Sequence, residues 1–353
     1  MTEDAAGDGV GPVAARSVAD VVSDMAKQHA HIIASPGGSV DLELKGVIPT
    51  GLPTLDWAIG RGGIPMGRLT VITGQEMIGK STMALQLCAQ AQRAGGVAVY
   101  IDREHKYDPR YAASLGVTLD GMIVTHPDHL EACFEAMESA TLIVQERFGS
   151  VPVLVVLDSI NAAISKAEFE AVYTKTHMAS SARVFSLALP RLIGRLARLP
   201  VALVWLSQWR LKITSFGAFN EKVSGGNAVK YYSSLVINMK RVGDVKLGPT
   251  VIGTEVSARI DKNQVSHPNR EALLQIMNDG TGFNHDHALI ERAAAQGLIG
   301  IGKAQWYEMP DPGSPKGVAR WQGAAGWRKL IARRPDLAER LEAEVRTKDG
   351  WDI

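Results

Sequence analysis

Gly74-Gln-Glu-Met-Ile-Gly79-Lys80-Ser81 constrains this chain more than any other stretch. It fits the pattern G-x-x-x-x-G-K-[ST] at every fixed position. It also lies between an apolar run, Leu69 to Thr73, and a helix-forming stretch, Thr82 to Arg93. That context makes it a strand-to-helix turn. Its glycines let successive backbone N–H groups converge on phosphate oxygens, and the helix that follows adds the positive end of its dipole. Lys80 is placed to neutralise the β and γ phosphates, and Ser81 to ligate Mg²⁺. A strand, a phosphate loop and a helix in this order belong to α/β folds.

The rest of the chain agrees with that class. Short Val/Ile/Leu runs recur at Val97 to Ile101, Met122 to Thr125, Val153 to Leu157 and Val201 to Leu206, separated by helical stretches. Runs of this kind are strands covered on both faces, so a doubly wound, mostly parallel sheet is expected. Leu235 to Met239, Val256 to Ile260 and Leu273 to Met277 follow with little helix between them and predict antiparallel additions at one edge. Before the core, Val18, Val21, Val22 and Met25 recur at helical spacing toward Ile32 and Ile33, and Ser35-Pro-Gly-Gly-Ser39 reads as a linker. After it, His287 to Gln296, Ala324 to Ala332 and a charged helix from Pro335 to about Lys348 form a small α+β C-terminal domain. The expected division is 1–45, 46–283 and 284–353.

The 353 residues are 46% hydrophobic and 21% charged, with a net charge of +1. The charge is unevenly spread: from Lys166 to Lys246 there are 13 Lys/Arg against 4 Asp/Glu, so the remainder carries about −8. A polyanion partner, if the basic face is more than solvated surface, belongs to this window. No apolar run approaches the ~20 residues of a membrane span, so no membrane partner and a cytoplasmic location are expected. Cys88 and Cys133 are too isolated for a disulfide framework or a metal site and read as buried residues.

Three polar residues sit where strands end. Asp158 closes Val153 to Leu157 and suits an Mg²⁺ partner opposite Ser81, although an acid there is often only a helix cap. Glu104 follows Val97 to Ile101 and is able to orient an attacking water or to be a surface acid. Gln208 closes Val201 to Leu206 and offers an amide to a γ-phosphate, or merely ends a strand.

Several ordered fragments together resemble the bacterial RecA recombinase family. They are Thr50-Gly51-Leu-Pro-Thr-Leu-Asp56 before Gly62-Gly63-Ile-Pro65-Met66-Gly67-Arg68, Tyr100-Ile-Asp102-Arg-Glu104-His105 to Asp108-Pro109, Ser207-Gln208-Trp-Arg210-Leu-Lys212, and Gly225-Gly226-Asn227-Ala228-Val-Lys230-Tyr231-Tyr232. The likeness spans roughly residues 46 to 340. It implies a RecA-like ATPase core with a DNA-dependent ATP hydrolase activity, ATP and Mg²⁺ as cofactors, single- and double-stranded DNA as partners, and self-assembly into a helical filament through the N-terminal helix. It implies that Glu104 activates water, that Gln208 senses the γ-phosphate, that Tyr111 stacks on adenine, and that Gln75, Glu76, Met77, Ile78, Thr82 and Asp108 complete the nucleotide site. It further implies two DNA-binding loops inside the basic window: one at about 170–180 with His177, Met178 and the following Arg183, the other a flexible glycine-rich loop from Trp209 to Gly226 with Arg210, Lys212, Gly225, Gly226 and Asn227.

The departures are informative. Gln75, Met77 and Ile78 replace the family's proline and small residues, yet backbone donors survive such changes. Lys262-Asn263-Gln264 aligns with a segment whose two lysines reach a neighbour's nucleotide, and the second is Gln264 here. Pro190 replaces a basic residue and is expected to kink or shorten its helix. The family's long acidic C-terminal tail is expected to be missing, because the sequence after the last helix reads only Asp349-Gly-Trp-Asp-Ile353, and autoinhibition by such a tail is expected to be lost. A regulatory or loading paralogue without strand exchange is the main alternative; a replicative helicase or a small-molecule kinase fits less well.

Overall fold

The computed structural model describes residues 45–171, 180–213, 219–223 and 226–351, with Val21, Ser23, Met25 and Lys27; for 209–213, 219–223 and Gly226 it describes the backbone alone. Residues 1–43 form a unit of their own, in which Val21, Ser23, Met25 and Lys27 are helical and exposed. Val18, Val22, Ile32 and Ile33 lie outside the described residues.

In the second unit the elements run β1 (Val47–Ile48), α1 (Pro53–Ile59), β2 (Ile64–Pro65), β3 (Arg68–Gly74), α2 (Lys80–Arg93), β4 (Val97–Asp102), α3 (Pro109–Ser114) and β5 (Met122–Thr125). There follow α4 (Leu130–Phe148), β6 (Val153–Asp158), α5 (Lys166–Phe169), α6 (Ser180–Leu196), β7 (Val201–Ile213), β8 (Phe219–Val223), α7 (Gly226–Tyr232), β9 (Leu235–Leu247), β10 (Thr250–Asn263), β11 (Glu271–Met277) and β12 (Gly282–Phe283). The sheet is ten-stranded in the order β12-β11-β10-β9-β3-β7-β6-β4-β5, with β8 attached to β7. Strands β9 to β5 in that order pair in parallel, and β10, β11 and β12 add antiparallel at one edge.

The apolar runs form strands here because both faces are covered. Along β6, Val153, Val155 and Leu157 join a layer with Phe134 of α4 and Phe185 of α6, while Leu154 and Val156 join the opposite layer with Leu87 of α2. A period of two thus fills two cores from one strand. Cys88 and Cys133 are buried, one in each layer, and free. Burial pushes both thiols up, Cys133 to about 12, so both stay protonated.

Beyond β12 come α8 (His285–Ala295), β13 (Gly300–Ile301), β14 (Trp306–Pro310), β15 (Val318–Gln322), α9 (Gly323–Ile331) and α10 (Pro335–Lys348). They enclose a core of their own, with Trp321 and Trp327 at 4.9 Å between ring centroids. Leu337, Leu341 and Val345 recur every fourth residue on the face that α10 buries. No helix among the described residues is long and apolar enough to cross a membrane.

Two expectations are corrected. Pro190 does not shorten its helix, because α6 continues to Leu196 with Pro190 inside it. Phe185, Leu189, Leu192 and Leu196 anchor both halves to the sheet. Burial of each side chain contributes about 1.5–3 kcal/mol, together more than the ~3 kcal/mol an interior proline costs. Pro190 also faces solvent, where water can satisfy the carbonyl it frees. Secondly, 209–226 is not simply a loop: β7 runs on past the sheet to Ile213 and β8 returns beside it as an antiparallel ribbon. Trp209, Leu211 and Ile213 are β-formers at alternate positions facing Val223, Glu221 and Phe219 in register, a pattern the glycines at 225 and 226 obscure.

Candidate functional site

The site is built where β3 ends. Gly74 has no room for a side chain, since a Cβ there would lie 2.5 Å from the Met239 carbonyl oxygen. Gly79 caps α2 with φ 88, a left-handed conformation glycine adopts without steric cost. Between them Met77 holds φ 57 and projects fully into solvent, whereas Ile78 is buried. Gln75 and Glu76 are exposed, as is Ser81 at the start of the helix, and Thr82 is buried.

Lys80 is folded back across the loop. Its Nζ donates to the carbonyls of Gly74 at 3.1 Å and Gln75 at 2.5 Å. Burial lowers its pKa, an effect partly opposed by the charges of Asp158 and Glu104. Asp158 Oδ2 accepts from Ser81 Oγ at 2.7 Å and from the Tyr100 hydroxyl at 2.6 Å. Burial raises the Asp158 pKa, and the nearby Glu104 and Asp102 carboxylates raise it further against those two hydrogen bonds. A hydroxyl and a carboxylate side by side, with excess negative charge around them, suit a hard divalent cation. Among the described residues there is no group of three or more His, Cys, Asp or Glu that could hold a metal ion.

Glu104 sits 3.4 Å from Gln208, with Gln208 Nε2 donating to Glu104 Oε1. The same Oε1 accepts from Ser159 Oγ at 2.6 Å, and Oε2 accepts from Lys106 Nζ at 2.8 Å. Burial pushes the Glu104 pKa up, but the hydrogen bonds from Lys106 and Ser159, with the charges of Lys106 and Lys80, bring it below the ordinary carboxylate value. Lys106 is exposed, so it is separable from the fold. In Lys106→Ala the acid limb of the pH profile of the expected ATP hydrolysis should move to higher pH, as measured by initial rates across the acid range; an unmoved limb would mean that Glu104 is not the titrating group.

Asp102 shapes the turn that carries Glu104, accepting from Glu104 N at 3.0 Å and Tyr107 N at 2.9 Å. Asn161 holds the Gln208 backbone at both ends, accepting from its N–H at 2.8 Å and donating to its carbonyl at 3.4 Å. Gln208 is also the register partner of Gly74. Asp102, Ser159 and Asn161 were not singled out from sequence. The aspartate two residues ahead of Glu104 was a recognisable turn signal; the other two are placed by sheet order alone.

The remaining candidates are distributed as follows. Tyr111 shares a hydrogen bond of 2.8 Å with Thr82 Oγ1, and Asp108 caps α3 by accepting from Arg110 N and Tyr111 N. Arg183 is exposed on α6, and Gly226 and Asn227 open α7. Arg210 and Lys212 lie on the projecting part of β7, opposite Lys222 and Asn220. His177, Met178 and Gly225 lie outside the described residues. Lys262 Nζ donates to the carbonyls of Lys230 at 2.9 Å and Tyr231 at 3.0 Å, at the C-terminal end of α7, where a cation is favoured. Burial lowers its pKa, and Lys230 lowers it further.

A phosphate loop leaving a central parallel strand, with an amide on the adjacent strand β7 and carboxylates at the ends of β6 and β4 beyond it, defines a P-loop nucleoside triphosphatase. Comparison with known proteins narrows the class. The family model "RecA N-terminal domain" matches residues 17–284. Protein RecA of Acinetobacter baylyi is 38% identical over 299 residues, covering 85% of this chain and 82% of the relative. Those of Nitratiruptor sp. and Acidothermus cellulolyticus are each 36% identical, over 306 and 304 residues, covering 86% of this chain and 85% and 84% of the relatives. The chain belongs to the RecA family, and is a DNA-dependent ATPase of recombination and repair.

Proposed function

We propose that the chain assembles on single-stranded DNA as a helical filament and couples ATP hydrolysis to homologous pairing and strand exchange with duplex DNA. The observation that carries this reading is the unbroken contact from Glu104 through Gln208 into β7, the strand that continues into the basic ribbon. In this reading backbone N–H groups of 74–79, Lys80 and Thr82 bind the phosphates, and Tyr111 with Asp108 borders the base. Glu104, ionised at neutral pH, accepts a proton from a water lined up on the γ-phosphate. Gln208 donates either to Glu104 or to the phosphate, so its position reports which is present. Mg²⁺, held by Ser81 and Asp158, would supply charge neutralisation on the phosphate oxygens. Lys262 reaches a neighbour's nucleotide, without a second lysine at Gln264.

Positions 210, 212, 220 and 222 share one face of the ribbon by register, and three of them, Arg210, Lys212 and Lys222, are basic, which supports a reading in which this face meets the phosphates of a single strand. Contacts to phosphate rather than to bases suit an enzyme that accepts any sequence. Acting on DNA, the protein belongs in the cytoplasm. The deciding assay is strand exchange with a hydrolysable nucleotide, alongside DNA-stimulated ATPase and electron microscopy of filaments. ATPase without exchange would sink the reading. In Arg210→Ser with Lys212→Ser, the slope of log affinity for single strands against log salt should become shallower by about 1.4, at roughly 0.7 per lost phosphate contact. An unchanged slope would remove the ribbon from the DNA interface.

A further inference from the structure

The strand end that carries Lys262 is fastened to α1 in an unusual way. Asn263, the last residue of β10, donates from Nδ2 to the Ile59 carbonyl at 2.9 Å and accepts from Val265 N and Ser266 N at 3.0 and 2.9 Å. Arg61 Nε donates to the Val265 carbonyl at 2.7 Å. Arg270, one residue before β11, donates from Nη1 to the Trp57 carbonyl at 3.0 Å, and its guanidinium carbon lies 5.1 Å from the Trp57 ring centroid.

A second guanidinium converges on the same ring. Arg292 of α8 lies 4.7 Å from the Trp57 centroid. Two cations drawn to one indole repel each other, and the arrangement holds because Arg292 is neutralised. Both oxygens of Asp349, just past α10, accept from Arg292, Nε at 3.0 Å and Nη2 closer still. The pair is nearly closed to solvent, with side-chain exposures of 13% for Arg292 and 4% for Asp349. Packing α1 against the sheet needs only an aliphatic side chain at position 57. A ring held by two guanidiniums is directional instead, since each cation–π contact depends on where the ring lies.

We propose that Trp57 is a positioning residue for Lys262. The series Asp349, Arg292, Trp57, Arg270 ties the C-terminal helices to the segment 263–270, and so fixes where Lys262 emerges from β10. The inference rests on Lys262 acting at a neighbour's nucleotide. A lysine that must meet a phosphate oxygen tolerates little misplacement, so a shift of the strand end lowers turnover more than ATP binding.

The test is a double-mutant cycle in the full-length chain, read as single-strand-dependent ATPase. Trp57→Leu is expected to lower kcat by roughly tenfold, with KM for ATP within about twofold, and Trp57→Phe to recover most of the loss. In the Lys262→Ala background Trp57→Leu should produce no further fall. Losses that multiply, or a Trp57→Leu variant with full turnover, overturn the proposal while leaving the role of Lys262 intact. Full turnover in Lys262→Ala alone overturns that role and the proposal with it. Should Trp57→Leu not fold, Asp349→Asn enters the same cycle with the same expected non-additivity.

Discussion

Lys80→Ala should give a folded protein whose ATP turnover is nearly lost. The lysine is 9% exposed and its ammonium is spent on two loop carbonyls, so its burial is a cost the fold carries for the sake of the site. Removing it relieves that desolvation, and the melting temperature should move by no more than about 5 °C. In the proposed site, however, the phosphates would lose a cation that the loop offers them. In a site of low dielectric that contribution is worth roughly 10²- to 10³-fold in kcat, with weakened nucleotide binding besides. Steady-state ATPase and nucleotide titration measure both, and normal turnover would refute the assignment of the loop.

Glu104→Gln separates chemistry from binding. The amide can still accept from Ser159, so the turn set by Asp102 should persist and ATP affinity should change little. Hydrolysis should fall by roughly 10²-fold, the usual contribution of a general base. The pH dependence has a definite sign. Lys106 and Ser159 hold the Glu104 pKa below its ordinary value, so the ionised base is present at neutral pH and is lost only as pH falls through that lowered value. The wild-type acid limb should therefore lie below the usual carboxylate range and vanish in Glu104→Gln. Equal losses of binding in the Lys80 and Glu104 variants would contradict their separate roles.

Much of the fold was legible because its signals are local. A strand buried on both faces has to be apolar throughout, as Val153 to Leu157 is, and a loop that wraps phosphate has to carry glycines at fixed spacing. The antiparallel edge was legible from the crowding of three β-rich runs. What escaped depends on neighbours distant in the chain. Ser159 and Asn161 look like ordinary loop residues until β4, β6 and β7 lie side by side, bringing Glu104 and Gln208 within reach. The ribbon of β7 and β8 was hidden by Gly225 and Gly226 just after it, which suggest a loop over the whole stretch. Pro190 misled because its local cost is real but smaller than the burial of the four apolar side chains around it. The Trp57 contacts had no sequence signature, since Arg270, Arg292 and Asp349 come from three separate segments.

The projection of β7 beyond the sheet has a mechanical consequence. Gln208 stands where the strand leaves its last parallel neighbour, and Ile213 lies five residues farther, about 17 Å along an extended chain. A strand clamped in the sheet on one side of a point and paired only with β8 on the other is a lever with its fulcrum there. If the ribbon holds DNA as proposed, a small tilt of β7 at Gln208 becomes a larger displacement at Ile213, and a change at the nucleotide is carried outward along one strand.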